Sequence, residues 1–206
     1  LYKSKQELNE VSGILRESAI KEIVSLSDES DLFVSTTGMP SRELFEIRET
    51  RGEQHNKDFL TVGSMGHASM IALGLSQSFK KGNVFCIDGD GSSIMHMGNI
   101  TSLGQSNNEN LIHVVLNNGA HDSVGGQPTC ANEINLPKIA KACGYKTSNS
   151  VSRLKQIKLL IKKLKESIGP HFVEIKIKKG SRDDLGRPTS SPRENLDFLM
   201  QFIRSQ

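Results

Sequence analysis

Short apolar runs alternate with segments of helical period along this 206-residue chain, and that alternation limits its fold more than any other feature. Residues 31–35, 59–62, 83–88 and 111–116 read as buried strands. Residues 145–151 give a weaker strand, and 171–178 alternates as a strand at a sheet edge would. Between them lie helical segments. Residues 5–27 place Leu8, Val11, Leu15, Ala19, Ile23 and Leu26 on one face. Ser41 is placed to cap a helix through Arg48. Residues 66–80 carry the small side chains Ala68, Ser69, Ala72 and Gly74, suited to close packing on a sheet. Further helices fit 93–104, 135–143 and 194–204. Residues 152–168 align Leu154, Ile157, Ile161, Leu164 and Ile168 opposite a solvated face of Arg153, Lys155, Lys158, Lys162 and Lys165. The product of such alternation is an α/β fold, with a mostly parallel sheet, helices on both faces and right-handed crossovers.

A chain of this length suits one domain. Residues 1–30 read as an N-terminal helix or linker and 31–206 as the domain proper. Lys plus Arg is 26 against 23 Asp plus Glu, a net charge of +3 that does not call for a nucleic-acid partner. No apolar stretch approaches the roughly 18 residues that cross a bilayer, so no membrane association is expected. The first 30 residues are too polar for a signal peptide. Cys86, Cys130 and Cys143 are scattered and odd in number, as free thiols of a reducing, cytoplasmic compartment would be. The sequence begins at Leu1, which favours a fragment of a longer chain over a separate subunit.

In a sheet of this kind, ligands sit beyond the carboxyl ends of the strands. Gly89-Asp90-Gly91-Ser92 follows one strand, and Asn117-Asn118 follows the next, 25 residues on. Asp90 offers an anionic oxygen, Asn118 an amide oxygen, and the Ala120 backbone a carbonyl. Three hard oxygens suit Mg²⁺, which keeps near-octahedral geometry and shares its shell with phosphate. A helix starting near Ser92 would aim free N–H groups at the same place, and Gly91 lets backbone approach an anion. Together they describe a diphosphate site bridged by magnesium. Neither GxGxxG nor GxxxxGK[ST] occurs after a strand, which counts against a dinucleotide-dependent oxidoreductase.

This spacing resembles the thiamine-diphosphate motif, GDG followed after 25–30 residues by NN. Gly63-Ser64-Met65-Gly66 lies where such enzymes carry a bulky apolar wedge that bends the cofactor. The resemblance places Met65 as that wedge, with the Gly63–Met65 backbone against the aminopyrimidine. From residue 31 onward the chain is similar to phosphonopyruvate decarboxylase. Thr37-Gly38-Met39-Pro40-Ser41, Val62-Gly63-Ser64-Met65-Gly66-His67-Ala68, Met95-His96-Met97-Gly98 and Asn117 through Thr129 carry the likeness, with Gly180-Ser181-Arg182 and Leu185-Gly186-Arg187-Pro188. The sulfopyruvate decarboxylase β subunit is a near relative. The family implies a thiamine-diphosphate-binding fold and decarboxylation of 3-phosphonopyruvate to phosphonoacetaldehyde and CO₂, with thiamine diphosphate and Mg²⁺ as cofactors. It implies cofactor contacts at Gly63, Ser64 and Met65, which join Gly89, Asp90, Gly91, Ser92, Asn118 and Ala120 of the diphosphate site, with Asp90, Asn118 and Ala120 on the metal, and Thr36 and Thr37, whose hydroxyls follow the first strand.

Other residues keep two readings each. His121 and His67 are the candidate catalytic histidines, with His96 behind them, for an acid group or a proton; each could equally be a hydrogen-bonded structural histidine. Arg42 and Arg48 fit a phosphonate fork as well as a salt bridge to Glu43 or Glu46. Arg182 and Arg187 belong either to a loop closing over the site or to structure alone. The family's second domain, which binds the pyrimidine and carries an activating glutamate, has no counterpart here; Glu43, Glu46 and Glu49 stand in the wrong kind of segment. A pyrimidine-binding domain or subunit is therefore the expected partner, in an oligomer acting on a 2-oxo acid. The alternatives are a β subunit acting on sulfopyruvate or another 2-oxo acid, and a non-catalytic cofactor-binding module.

Overall fold

The computed structural model describes residues 13–206. Leu8 and Val11, expected on the first helix, lie outside them. The chain runs α1 (Arg16–Ser25), β1 (Leu32–Ser35), α2 (Met39–Arg51), β2 (Asp58–Leu60), α3 (Ala68–Ser78), β3 (Val84–Gly89), α4 (Asp90–Met95), α5 (Asn99–Gln105) and β4 (Leu111–Asn117). There follow β5 (Ala120–His121), a 3₁₀ turn (Asp122–Val124), β6 (Gln127–Pro128), α6 (Leu136–Ala142), β7 (Thr147–Val151), α7 (Leu154–Lys165), β8 (His171–Lys176) and α8 (Pro192–Ser205).

Six strands form one sheet in the order β2-β1-β3-β4-β8-β7, and every pairing in it is parallel. Alternation along each strand sends side chains to two buried faces. On one face Phe33, Phe85, Ile112, Val114 and Val173 pack beneath α1, α2 and α7, with the Phe33 and Phe85 rings stacked 5.0 Å apart. On the other, Leu32, Val84, Cys86, Leu111, Val115 and Phe172 pack beneath α3, α5, α6 and α8. The α1 residues Ala19, Ile20, Ile23 and Val24 belong to the first of these cores.

Several local expectations change. β8 is an interior strand, because β7 pairs along its outer side. Its alternating Glu174 is buried and accepts from Asn117 Nδ2 at 2.7 Å and Ser150 Oγ at 2.6 Å. α7 buries only Ile157, Ile161 and Leu164. Leu154 is 40% and Ile168 65% exposed, because the helix ends at Lys165 before Ile168 can turn inward. α2 starts at Met39, with Pro in its first turn, where the absent N–H costs nothing. The Ser41 hydroxyl instead donates to the Thr36 carbonyl at 2.7 Å. The helix expected over 93–104 is broken into α4 and α5 at His96–Gly98. Residues 119–130 fold into a small antiparallel hairpin, with Ala120 opposite Pro128.

Chain order reverses between β1 and β3: β1 leads to β2 on one side, and β3 continues to β4 on the other. An open parallel sheet leaves a crevice at such a switch point, beyond the strand ends.

Candidate functional site

That crevice is an open cleft of about 420 Å³. Thr36, Thr37, Met39 and Pro40 reach it from the β1–α2 turn, Met65 from the turn after β2, and Gly89, Asp90, Gly91 and Ser92 from the β3–α4 junction. Asn118, Ala120, His121, Asp122 and Ser123 come from the segment after β4, and Arg16 from the start of α1.

The floor is held by hydroxyls. Ser92 Oγ accepts from the Gly66 N–H at 3.0 Å and lies 2.9 Å from Thr36 Oγ1, tying together the ends of β1 and β3 and the turn after β2. Thr37 Oγ1 accepts from the Gly63 N–H at 3.1 Å. Gly91 leaves room for His121: a Cβ there would stand 2.3 Å from His121 Cε1. Any other residue at 91 would drive that ring away.

Asp90 is buried, at 2% exposure. Burial pushes its carboxyl above the ordinary Asp value, while the Thr129 hydroxyl and the N–H groups of Asn118, Asp90 and Gly91 pull the other way. Thr129 Oγ1 donates to Asp90 Oδ2, and the hairpin after β4 returns the chain so that Thr129 reaches that oxygen. Asn118 Oδ1 accepts from the Ala120 N–H at 3.0 Å, and its Nδ2 donates to Asp122 Oδ2 at 2.7 Å.

This donor set fits a magnesium diphosphate. A buried carboxylate without a cationic side chain against it lowers its own energy by facing a cation. Asn118 Oδ1 keeps a second lone pair. Arg16 is matched by Glu43 and Asp122, which leaves Asp90 as the carboxylate in the cleft that no cationic side chain pairs among the described residues.

The structure brings Thr36, Thr37, Met65, Gly89, Asp90, Gly91, Ser92, Asn118, Ala120 and His121 into one cleft. Gly63 and Ser64 stand exposed just outside its lining. His67 also lies outside it; its ring packs against that of His96, with centroids 4.4 Å apart. Arg48 is not available as a phosphonate fork. It is 1% exposed, bonded to Asp58 at 2.9 and 2.8 Å and to Glu53 at 2.6 Å, neither of which is the partner expected for it. Arg182 is paired with Glu17, Glu46 and Asp184. Each glutamate considered above has a partner: Glu43 takes Arg16, Glu46 takes Arg182 and the Gly186 N–H, and Glu49 takes His55. No glutamate lines the cleft among the described residues. Sequence reasoning missed Arg16, Asp122 and Thr129. The last two sit inside the stretch that carried the resemblance; Arg16 had no signal, being one polar position on an ordinary helix.

Comparisons with known proteins agree with this geometry. Residues 36–175 match the family described as thiamine pyrophosphate enzyme, C-terminal TPP binding domain. The phosphonopyruvate decarboxylase of Streptomyces viridochromogenes is 36% identical over 188 residues, 91% of this chain and 46% of that protein. The sulfopyruvate decarboxylase subunit beta of Methanocaldococcus jannaschii is 39% identical over 134 residues, 65% of this chain and 68% of that one. The chain thus spans about half the length of the phosphonopyruvate decarboxylases it matches. Among solved structures, the thiamine diphosphate-dependent 4-hydroxybenzoylformate decarboxylase of Rhodococcus jostii superposes with a TM-score of 0.67 at 14% identity, over 88% of this chain and 36% of that one, a likeness of fold alone. A parallel sheet with its switch-point cleft, the GDG and NN turns facing across it, and a family match over most of the chain lead to one assignment: this chain belongs to the thiamine pyrophosphate enzymes, as their C-terminal TPP-binding domain.

Proposed function

We propose that this chain supplies the diphosphate- and magnesium-binding half of a 2-oxo acid decarboxylase acting on 3-phosphonopyruvate, with phosphonoacetaldehyde and CO₂ as products. The observation that carries the reading is Asp90: a buried carboxylate at the sheet's switch point, beside Asn118, with no cationic side chain against it among the described residues. Asp90, Asn118 and the Ala120 carbonyl would hold Mg²⁺. Thr36, Thr37 and Ser92 would offer hydroxyls to the diphosphate, and Met65 would support the bent cofactor. When bound, thiamine diphosphate supplies the nucleophilic carbon and the electron sink on which loss of CO₂ depends.

This chain's own residues bind, orient and move protons. His121, half-buried against Gly91, would hold an acid group of the substrate or carry a proton. His67 would act from the rim, paired with His96. Among the described residues no arginine lining this cleft is free for the phosphonate, because Arg16 is already matched by two carboxylates. The acid group is therefore read by imidazole, or by the other half of the enzyme.

That other half is a pyrimidine-binding domain or subunit carrying the activating glutamate. Val62, Met95 and Val124 stand 72, 53 and 62% exposed, each within three residues of a cleft-lining position, where such a half would cover them. The 39% identity to a sulfopyruvate decarboxylase β subunit favours a second reading, the same chemistry on a sulfonated 2-oxo acid. Side-by-side rates on phosphonopyruvate and sulfopyruvate with the assembled enzyme decide between them.

Calorimetry of thiamine diphosphate with Mg²⁺ tests the site. Asp90→Ala should abolish metal-dependent binding with the melting profile retained. Asn118→Ala should weaken it by less, since a neutral ligand contributes less charge. Unchanged affinity in Asp90→Ala overturns the metal assignment.

A further inference from the structure

Asp122 gathers three donors on one oxygen. Its Oδ2 accepts from Asn118 Nδ2 at 2.7 Å, from Arg16 Nη1 at 2.8 Å and from the Gly180 N–H at 3.0 Å. These come from the loop after β4, from the first turn of α1, and from the tail beyond β8. The tail is fastened at further points. The Gly180 carbonyl accepts from Arg16 Nη2 at 3.3 Å, the Gly186 N–H donates to Glu46 Oε1 at 2.6 Å, and Arg182 bridges Glu17, Glu46 and Asp184. Gly180 has φ +92°, which lets its N–H and its carbonyl meet Asp122 and Arg16 together.

We propose that Asp122 is a positioning residue for Asn118, and that through it the tail segment 178–187 becomes part of the cofactor site. The inference rests on the reading of Asn118 as a metal ligand. An amide side chain turned by 180° puts –NH₂ where oxygen should be, and a cation site is then lost. Two contacts select one orientation: the Ala120 N–H takes Oδ1, and Asp122 takes Nδ2. Ala120 is fixed by the β5–β6 pairing. Among the described residues, the Asp122 carboxylate is held by its other partners, Arg16 and Gly180. Arg16 in turn is gripped by Glu43 at 2.9 and 3.1 Å.

A linkage follows. The tail holds Asp122 Oδ2, and Asp122 Oδ2 holds the Asn118 amide in the orientation that presents Oδ1 to a cation, so cation binding and tail fastening favour the same arrangement and strengthen each other by the same factor. Outer partners that orient ligands in this way typically matter 10–100-fold in metal affinity.

The test uses the full-length protein with its pyrimidine-binding half, and Mg²⁺ with thiamine diphosphate as probes. Two readouts apply: calorimetric affinity, and hydrogen exchange of the 178–187 amides with and without the probes. In the wild type, adding both should slow exchange in that segment. Asp122→Asn keeps the volume and removes the charge; it should weaken Mg²⁺-dependent binding about tenfold and abolish the slowing. Arg182→Gln touches nothing in the cleft, yet it should weaken binding about fivefold through the tail. A tail that is merely structural would leave affinity unchanged in Arg182→Gln and exchange indifferent to Mg²⁺; either result, in a wild type that binds the probes, overturns the proposal. A wild type that does not bind them overturns the cofactor reading itself, whatever the tail does.

Discussion

Two arginines are buried in this domain, each between two carboxylates, and they do different things. Arg48 on α2 bonds both oxygens of Asp58, reaches Glu53, and lies over the Phe33 ring at 5.0 Å. Arg16 on α1 bonds both oxygens of Glu43 and reaches Asp122. Local chemistry is the same; the destination of the second carboxylate is not. Glu53 is 28% exposed and returns to Arg51, so that network closes on itself. Asp122 goes on to Asn118 and Gly180. Burial and ion-pair geometry alone would rank these arginines as equals. What separates them is where the last oxygen points.

The largest effect should come from the closed network. Arg48→Met leaves Asp58 uncompensated at 0% exposure, and removing one partner of a buried pair costs about 3–5 kcal/mol. Chemical denaturation should show that loss, with cofactor affinity moving far less than stability. The double variant Arg48→Met with Asp58→Leu should recover much of it, since the isolated charge is then gone. A large fall in affinity at unchanged stability would break the comparison.

The open network should show a smaller loss of stability and a larger one of binding. Glu43→Gln keeps the shape around Arg16 and removes one charge, at a cost of about 1–3 kcal/mol. Arg16 then leans on Asp122 alone, and Mg²⁺-dependent affinity should fall with it. Glu53→Gln, the matching change in the closed network, should cost less than about 1 kcal/mol, because Glu53 is partly solvated.

How far the sequence reveals this arrangement depends on range. The strands, the switch-point placement of GDG and NN, and the gathering of Asp90, Asn118 and Met65 are local consequences of strand–turn–helix order, and they are readable along the chain. The interior place of β8 is not, because it depends on β7 pairing along its outer edge, while its two faces are buried by the helix layers on either side. Nor is the end of α7, where Ile168 keeps the apolar period although the helix has stopped. Least readable are the partners of Arg16 and Asp122, separated by 106 residues. A guanidinium finds its carboxylate only after the sheet has formed, and residue spacing carries no trace of that.

The smallest effect concerns the end of the sheet away from the cleft. His171 opens β8, at the end away from the cleft, and is buried with Nδ1 2.9 Å from Thr147 Oγ1 and Nε2 3.1 Å from the Ser167 carbonyl. Burial pushes its pKa below the usual imidazole value, while the backbone carbonyls of Ser167 and Leu164 pull it up. The unfolded chain therefore takes up a proton near pH 6.5 that the folded chain refuses. The stability tied to this neutral ring is fully present above that pH and is lost as pH falls from there towards the depressed folded value. Melting curves between about pH 5 and pH 7 should show wild type losing stability relative to His171→Gln, by no more than about 1.4 kcal/mol per pH unit. Glu43 and Asp58, which burial holds above the ordinary carboxylate range, run with the opposite sign and cancel in that difference. Cofactor affinity should be the same in both proteins at neutral pH, since His171 shares no oxygen with the cleft. A shift in affinity there would mean that the two ends of the strands communicate, and that contacts besides Asp122 and Ala120 reach Asn118.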